Sequence, residues 1–153
     1  MAQISREALI QKFHEMEWSF ADKDAGALGE LERRIADAGK QKKLITYSEL
    51  ARGVEFHLPN IRDGAAYEIR TNEWHGLDRK IIGEFLGLAS ARSYENAGFM
   101  ASALVVSGLE LKPSDIFFEW MKTLDVLPDL SEMTVLAFWA DEVNKAHRWY
   151  RMH

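Results

Sequence analysis

The spacing of apolar residues predicts two helices at the start of the chain. Ser5 can cap a first helix whose apolar residues recur every three or four positions: Leu9, Phe13, Met16 and Phe20. Asp24 can cap a second helix with the same spacing, which Gly39 would end: Leu28, Leu31, Ile35 and Ala38. We therefore expect residues 1–39 to form an antiparallel helical hairpin.

The middle of the chain predicts a strand, two helices and a second strand. Residues 44–46 favour a short strand, and Thr46 or Ser48 can cap a helix that ends near Gly53. Residues 66–71 alternate in polarity, which is typical of a strand. Asp78 can cap a helix that reaches about Arg92, and residues 101–106 form an apolar run of strand length.

Two helices are predicted in the last third of the chain. Residues 113–115, Pro-Ser-Asp, can open a helix, and Ser131 can cap a final helix that runs almost to the end of the chain. This last helix has two neighbouring apolar stripes. The first is Val135, Trp139, Glu142, Ala146 and Trp149. The second is Leu136, Ala140, Val143, His147 and Tyr150.

These elements predict an α+β fold that is mostly helical, with a small sheet, in a single domain over residues 1–153. The centre, residues 43–107, has the strand–helix–helix–strand order of a winged helix. The helical hairpin at 1–39 and the two helices at 113–153 would flank it.

Composition restricts the chemistry more than it identifies it. The 153 residues include no cysteine, which excludes disulfides, thiolate nucleophiles and cysteine-bound zinc or iron–sulfur clusters. No apolar run reaches the roughly 18 residues of a membrane-spanning helix. The first residues carry no apolar signal sequence, so we expect a cytoplasmic protein that does not bind membranes.

Charge is distributed unevenly. Residues 1–39 and 93–153 are acidic, whereas residues 40–92 hold nine Lys and Arg against seven Asp and Glu. Phosphate binding requires basic residues. The central third is therefore where we expect contact with nucleic acid.

One resemblance supports this expectation. The sequence Ile45-Thr46-Tyr47-Ser48-Glu49-Leu50-Ala51 resembles the Thr-Tyr-Gly-x-(Ile/Leu)-Ala signature of the winged-helix domain of DNA alkyltransferases and alkyltransferase-like proteins. The later Lys80-Ile81-Ile82-Gly83 resembles that family's Arg-Ala-Val-Gly on the recognition helix. The alkyltransferases also carry a Pro-Cys-His-Arg site, and without cysteine alkyl transfer is impossible here.

The resemblance implies a DNA-binding surface. Lys80 would take the place of the family's base-displacing arginine, and Tyr47 that of a tyrosine beside the DNA. Arg79, Lys43 and Arg92 are further basic residues that could line the same face. We therefore predict a non-enzymatic binding module, with DNA contacted by Tyr47, Arg79, Lys80, Lys43 and Arg92.

A second resemblance covers residues 43–150. The order of Ile-Thr-Tyr-Ser-Glu-Leu-Ala, Ile-Gly-Glu-Phe-Leu, Ser-Ala-Leu-Val-Val, Phe-Phe and Glu-Val-Asn-Lys-Ala-His is similar to a group of uncharacterised small bacterial proteins. It implies a shared fold and no particular activity.

Two alternatives remain open. The five Trp and the acidic charge outside the centre are compatible with a protein–protein interaction module or a homodimer, with the last helix as its surface. A small enzyme could instead use His75 and Asp78 as an acid–base pair. We predict no cofactor and no metal. Glu142 and His147 lie five positions apart, which differs from the i, i+4 spacing of a helical metal site.

Overall fold

The computed structural model describes residues 3–153 and confirms the α+β fold. These residues form six α-helices and two small sheets, together with 3-10 turns at Arg62–Gly64 and Ala101–Leu104. In chain order the elements are α1 (Arg6–His14), α2 (Ala25–Lys40), β1 (Ile45–Thr46), α3 (Tyr47–Ala51), β2 (Glu55–His57), β3 (Ala66–Glu68), α4 (Gly76–Ala97), β4 (Val105–Val106), α5 (Asp115–Thr123) and α6 (Glu132–Met152).

Hydroxyl and carboxylate caps begin the helices largely where the sequence predicted them. The side chains of Ser5, Asp24 and Ser131 each accept a hydrogen bond from a backbone N–H in the first turn of α1, α2 and α6. At α3, Thr46 and Glu49 cap reciprocally, each side chain accepting from the other's backbone N–H. These bonds satisfy N–H groups that have no partner within the helix.

The first helix is shorter than predicted. It ends at His14, and the expected extension to Phe20 is wrong. The chain turns so that the Trp18 ring lies over Gly87 of α4, where an added Cβ would be only 3.1 Å from the ring. The backbone N–H groups of Phe20 and Ala21 then donate to Glu84 Oε1 at 2.8 and 3.2 Å. These contacts with α4 replace the helical bonds that the apolar spacing predicted.

The two central strands pair directly. β1 and β4 run parallel, with Ile45 opposite Val105 and Thr46 opposite Val106. The connection between α3 and α4 contains an antiparallel hairpin of β2 and β3, in which Phe56 lies opposite Tyr67. The strand expected at 66–71 is thus confirmed over Ala66–Glu68. The resemblance to a winged helix stays a prediction.

The apolar run at 101–106 is a strand only over its last two residues. Before them, Ala101–Leu104 forms a 3-10 turn, because side chains take the backbone N–H groups that a neighbouring strand would bind. Ser93 Oγ accepts from Ala101 N at 2.9 Å, and Ser90 Oγ accepts from Ser102 N at 3.0 Å. Both serines belong to α4, so this helix fixes the turn.

The core consists of two apolar clusters. One gathers the buried faces of α2, α3 and α4 and the strands, and the other gathers α1 and α5. Val143 of α6 packs against both. Since α1 packs mainly against α4, and its buried Leu9 and Phe13 belong to the second cluster, α1 and α2 do not form the predicted hairpin as their main contact.

Candidate functional site

The predicted DNA contact Tyr47 is tied to the interior. Its side chain is half-buried and packs against the first cluster. Its hydroxyl oxygen accepts a hydrogen bond from the backbone N–H of Ser114 at 2.9 Å. Tyr47 therefore connects the start of α3 to the residue that precedes α5.

Lys43 and Arg92, two further predicted DNA contacts, belong to different parts of the fold. Lys43 precedes β1, and its carbonyl accepts a hydrogen bond from His147 Nε2 of α6 at 3.0 Å. Arg92 lies in the second half of α4, where its Nε donates to Glu32 Oε2 of α2 at 2.8 Å. This ion pair already neutralises one of the predicted phosphate-binding cations.

Arg79 and Lys80 are neighbours in the first turns of α4. Both are exposed, and within residues 3–153 neither forms an ion pair. The rise of an α-helix places them about 18–20 Å from Arg92 along α4. Arg92 therefore lies apart from the adjacent pair Arg79 and Lys80.

Asp78 joins the hairpin to α4 and has no free carboxylate for acid–base chemistry. It is 1% exposed and occupies the third position of α4, because the N-cap residue is His75 and not Asp78 as predicted. Its Oδ2 accepts from the backbone N–H of His75 at 2.9 Å, and its Oδ1 accepts from the Tyr67 hydroxyl. Burial and the hydrogen bond to Asp78 raise the pKa of Tyr67 to about 12.

Besides the bond from His147 to Lys43, two polar contacts hold the inner face of α6 to residues 100–103. Trp139 Nε1 donates to the carbonyl of Ala103 at 2.8 Å. Glu142, 4% exposed, accepts the backbone N–H of Met100 at 2.8 Å and faces Lys145 Nζ at 3.2 Å. Burial raises the pKa of the Glu142 carboxyl, although the hydrogen bond from Met100 and the nearby Lys145 both lower it.

The opposite side of α6 exposes apolar residues. Met133 is 85% exposed and Leu136 is 41% exposed, and Ala137 and Ala140 are exposed beside them. The spacing i, i+3, i+4, i+7 places these residues on one side of the helix. We call Met133, Leu136, Ala137 and Ala140 the outer stripe.

Charge changes sign along α6. Asp129 and Glu132 are exposed where the helix begins, and Arg148 and Arg151 are exposed where it ends. Near this basic end, an open cleft of about 360 Å³ is lined in part by Arg148, Arg151 and Lys42. Within residues 3–153 none of these three cations forms an ion pair.

A larger open cleft, about 700 Å³, lies between α2, α4 and the end of α6. Phe99, Trp149 and Tyr150 contribute its aromatic surface, and the Glu32–Arg92 ion pair contributes its charge. Burial, followed by the nearby Glu32 carboxylate, raises the pKa of Tyr150 to about 12. Neither cleft is lined by His75 or Asp78.

The sequence predicted the two stripes of α6, but not which of their residues are exposed. Trp139, Glu142 and Ala146 of the first stripe pack inward, whereas Leu136 and Ala140 of the second are exposed. Met133, the most exposed residue of the outer stripe, belonged to neither predicted stripe. Its position one helical turn before Leu136 and Ala137 was the available signal.

The part of the chain that the structure describes contains neither a cluster of metal-ligating side chains nor a membrane-spanning helix. Within it, no three His, Asp or Glu side chains gather closely enough to hold a metal ion. No helix there has both the length and the apolar character needed to cross a membrane. Comparisons with protein-family models, curated proteins and solved structures found no match to this chain.

Proposed function

We propose that this chain is a non-enzymatic binding module that docks a protein partner along the outer stripe of α6. The observation that carries the proposal is the exposure of Met133 and Leu136, at 85% and 41%, on one side of a helix whose other side is anchored in the core. Full burial of a Met or Leu side chain contributes about 1.5–3 kcal/mol, so covering this stripe would favour association.

The exposed apolar residues are arranged as expected for a binding surface and not as isolated residues. Single apolar residues are common on protein surfaces and need no explanation. Here four neighbours follow the spacing used when one helix docks against another. Ala137 and Ala140 would let a partner backbone approach closely, while Met133 and Leu136 provide the larger apolar contacts.

Site-specific photo-crosslinking in the cells that produce the protein tests the proposal. A photoreactive amino acid at Met133 or Ala137 should give a discrete protein adduct. The same group at Glu73, an exposed residue of the connection before α4, is the control and should give none. Adducts of equal yield from all three positions, or no adduct from the outer stripe, would contradict the proposal.

DNA binding is a second candidate, supported by the exposed pair Arg79 and Lys80. Both cations are exposed in the first turns of α4, about 18–20 Å along the helix from the Glu32–Arg92 ion pair. An electrophoretic shift assay on duplex DNA at low salt tests it. The Arg79→Glu/Lys80→Glu variant should lose any shift, whereas Arg92→Glu should retain most of it. Unchanged mobility of the native protein at micromolar concentration would remove this candidate.

A further inference from the structure

We infer that the open cleft lined by Lys42, Arg148 and Arg151, the basic cleft, binds a small phosphate ester that carries hydroxyl groups. The site lies in the second half of α6, beyond the outer stripe, and does not depend on the proposed function. Its three cations are exposed, and within residues 3–153 none of them forms an ion pair. A bound phosphate would offset the repulsion among them and accept charge-assisted hydrogen bonds from both guanidinium groups.

Two separate segments of the chain build the basic cleft. Asn144, Arg148 and Arg151 line it from α6, where spacings of four and three positions place them on one side of the helix. Lys42 lines it from the turn that ends α2. The ring nitrogen Nε2 of His147 donates to the carbonyl of Lys43 at 3.0 Å, and this bond holds the turn against α6. The cations are therefore brought to one cleft by the fold and are not merely neighbours in the sequence.

The backbone at Lys42 is a second observation that points to a ligand. The turn has the two hydrogen bonds of a Schellman motif: Lys43 N donates to the carbonyl of Ala38 at 2.9 Å, and Lys42 N donates to that of Gly39 at 3.1 Å. Lys42 occupies the position with positive φ, here 56°, which glycine adopts without strain. Lysine at this position lowers stability, and such strained residues cluster at functional sites.

The rest of the lining determines the chemical class of the ligand. Of the described residues that line the basic cleft, none is aliphatic and none is Phe, Tyr or Trp, so no side chain there would cover an acyl chain or provide an indole, phenyl or phenol platform for a base. The Asp141 carboxylate also lines it, but Lys145 Nζ lies 3.0 Å from its Oδ2 and compensates its charge. Asp141 and the Asn144 amide can then hydrogen-bond hydroxyl groups. The cleft volume of about 360 Å³ is near the lower end of ligand sites, which favours a small ester.

An NMR titration of the isotope-labelled full chain with glycerol phosphate tests the inference. We expect shifts concentrated at the basic cleft and a dissociation constant of about 1 mM or below at low salt. Inorganic phosphate should bind more weakly, because it lacks the hydroxyl contacts, and glycerol should not bind. Arg148→Gln/Arg151→Gln should weaken binding at least about tenfold. Arg79→Gln/Lys80→Gln removes the same charge from exposed residues outside the cleft, and its affinity should stay within about twofold of native.

Lys42→Gly separates loss of binding from loss of folding. Glycine relieves the backbone strain, so the melting temperature should rise, while the affinity for glycerol phosphate should fall at least about threefold. Lys40→Gln is the matched control, since Lys40 is an exposed lysine of the same helix that does not line the cleft. It should retain native affinity.

Four results would overturn the inference. The first is the absence of shifts at about 10 mM glycerol phosphate, where even weak binding is visible. The second is equal weakening in the two double variants, which would mean nonspecific attraction by net charge. The third is unchanged affinity in Lys42→Gly. The fourth is a duplex DNA shift that Arg148→Gln/Arg151→Gln abolishes in a chain that does not bind glycerol phosphate, which would assign the cleft to nucleic acid instead.

Discussion

The two sides of α6 differ in the size of their apolar residues and in their surroundings. On the inner side, Trp139 and Glu142 each bind a backbone group of residues 100–103, and Ala146 is fully buried. On the outer side, Met133 and Leu136 remain exposed. The comparison teaches that large apolar residues and polar partners act together on the side that faces the core, since Val135, Val143 and Trp149 also pack there. The polar atoms of the inner side have partners at hydrogen-bonding distance, and these fix the rotation of the helix.

Trp139→Ala should produce the largest loss of stability. The substitution removes an aromatic side chain from the second cluster and leaves the buried carbonyl of Ala103 without its donor. We expect the free energy of unfolding to fall by about 3 kcal/mol. Urea unfolding followed by circular dichroism measures it. A loss below about 1 kcal/mol would show that the inner side of α6 is less firmly anchored than its contacts indicate.

Gly39→Ala tests the contact of the inner side of α6 with α2. A Cβ at Gly39 would lie 2.3 Å from Cδ2 of the Tyr150 ring and 2.9 Å from its Cβ. Because these atoms are near the root of the side chain, the ring cannot simply rotate away. We expect a loss of about 1–3 kcal/mol, as for other overpacked sites.

Gly29→Ala is the matched control in the same helix. Nothing lies within 4 Å of an added Cβ at Gly29, so alanine should stabilise α2 by about 0.5–1 kcal/mol through its better helix propensity. Thermal unfolding of both variants gives the comparison. Equal shifts of the melting temperature would contradict the close approach of α6 to Gly39.

The buried Glu142 should make the inner side sensitive to pH. Burial raises the pKa of this carboxyl above its ordinary 4.5, so the folded state holds its proton more tightly than the unfolded state does. The resulting stabilisation is fully present below pH 4.5 and is lost as pH rises through the raised pKa.

Glu142→Gln removes this titration and keeps an acceptor for Met100 N. The stability of the native chain relative to the variant should therefore decline as pH rises from 4 towards 8. Urea unfolding at a series of pH values measures the difference. A difference that stays constant, or grows in favour of the native chain, would show that the carboxylate is well solvated or fully compensated.

Local signals in the sequence were sufficient for three helix caps, but not for the end of α1 or the start of α4. Ser5, Asp24 and Ser131 cap the helices that they were predicted to cap, since an N-cap depends on residues only a few positions apart. The apolar run at 101–106 was predicted less well. Its first residues bind Ser90 and Ser93 of α4, and contacts over such distances leave no periodic trace in the sequence.

The candidate site was predicted only in outline. The last helix was named as a possible interaction surface, but its two stripes could not be ranked without the position of Ala103 and Met100. The predicted basic face combined residues of two sequence motifs with basic residues near them in the sequence. The fold separates Arg92 from Lys80 along α4 and turns the Tyr47 hydroxyl towards Ser114.

Met133→Ala should have the smallest effect on the stability of the isolated chain. It therefore gives the clearest contrast with substitutions on the inner side of α6. At 85% exposure the side chain contributes little to folding, and alanine favours helix, so we expect a change within about 0.5 kcal/mol at low protein concentration. If the partner on the outer stripe is a second copy of this chain, the same side chain is covered twice. The melting temperature of the native chain should then rise with protein concentration, and that of Met133→Ala should rise less. Differential scanning calorimetry over a concentration series measures both. Identical slopes would place Met133 outside any self-association surface, and a large loss at low concentration would mean that it already contributes to the folded monomer.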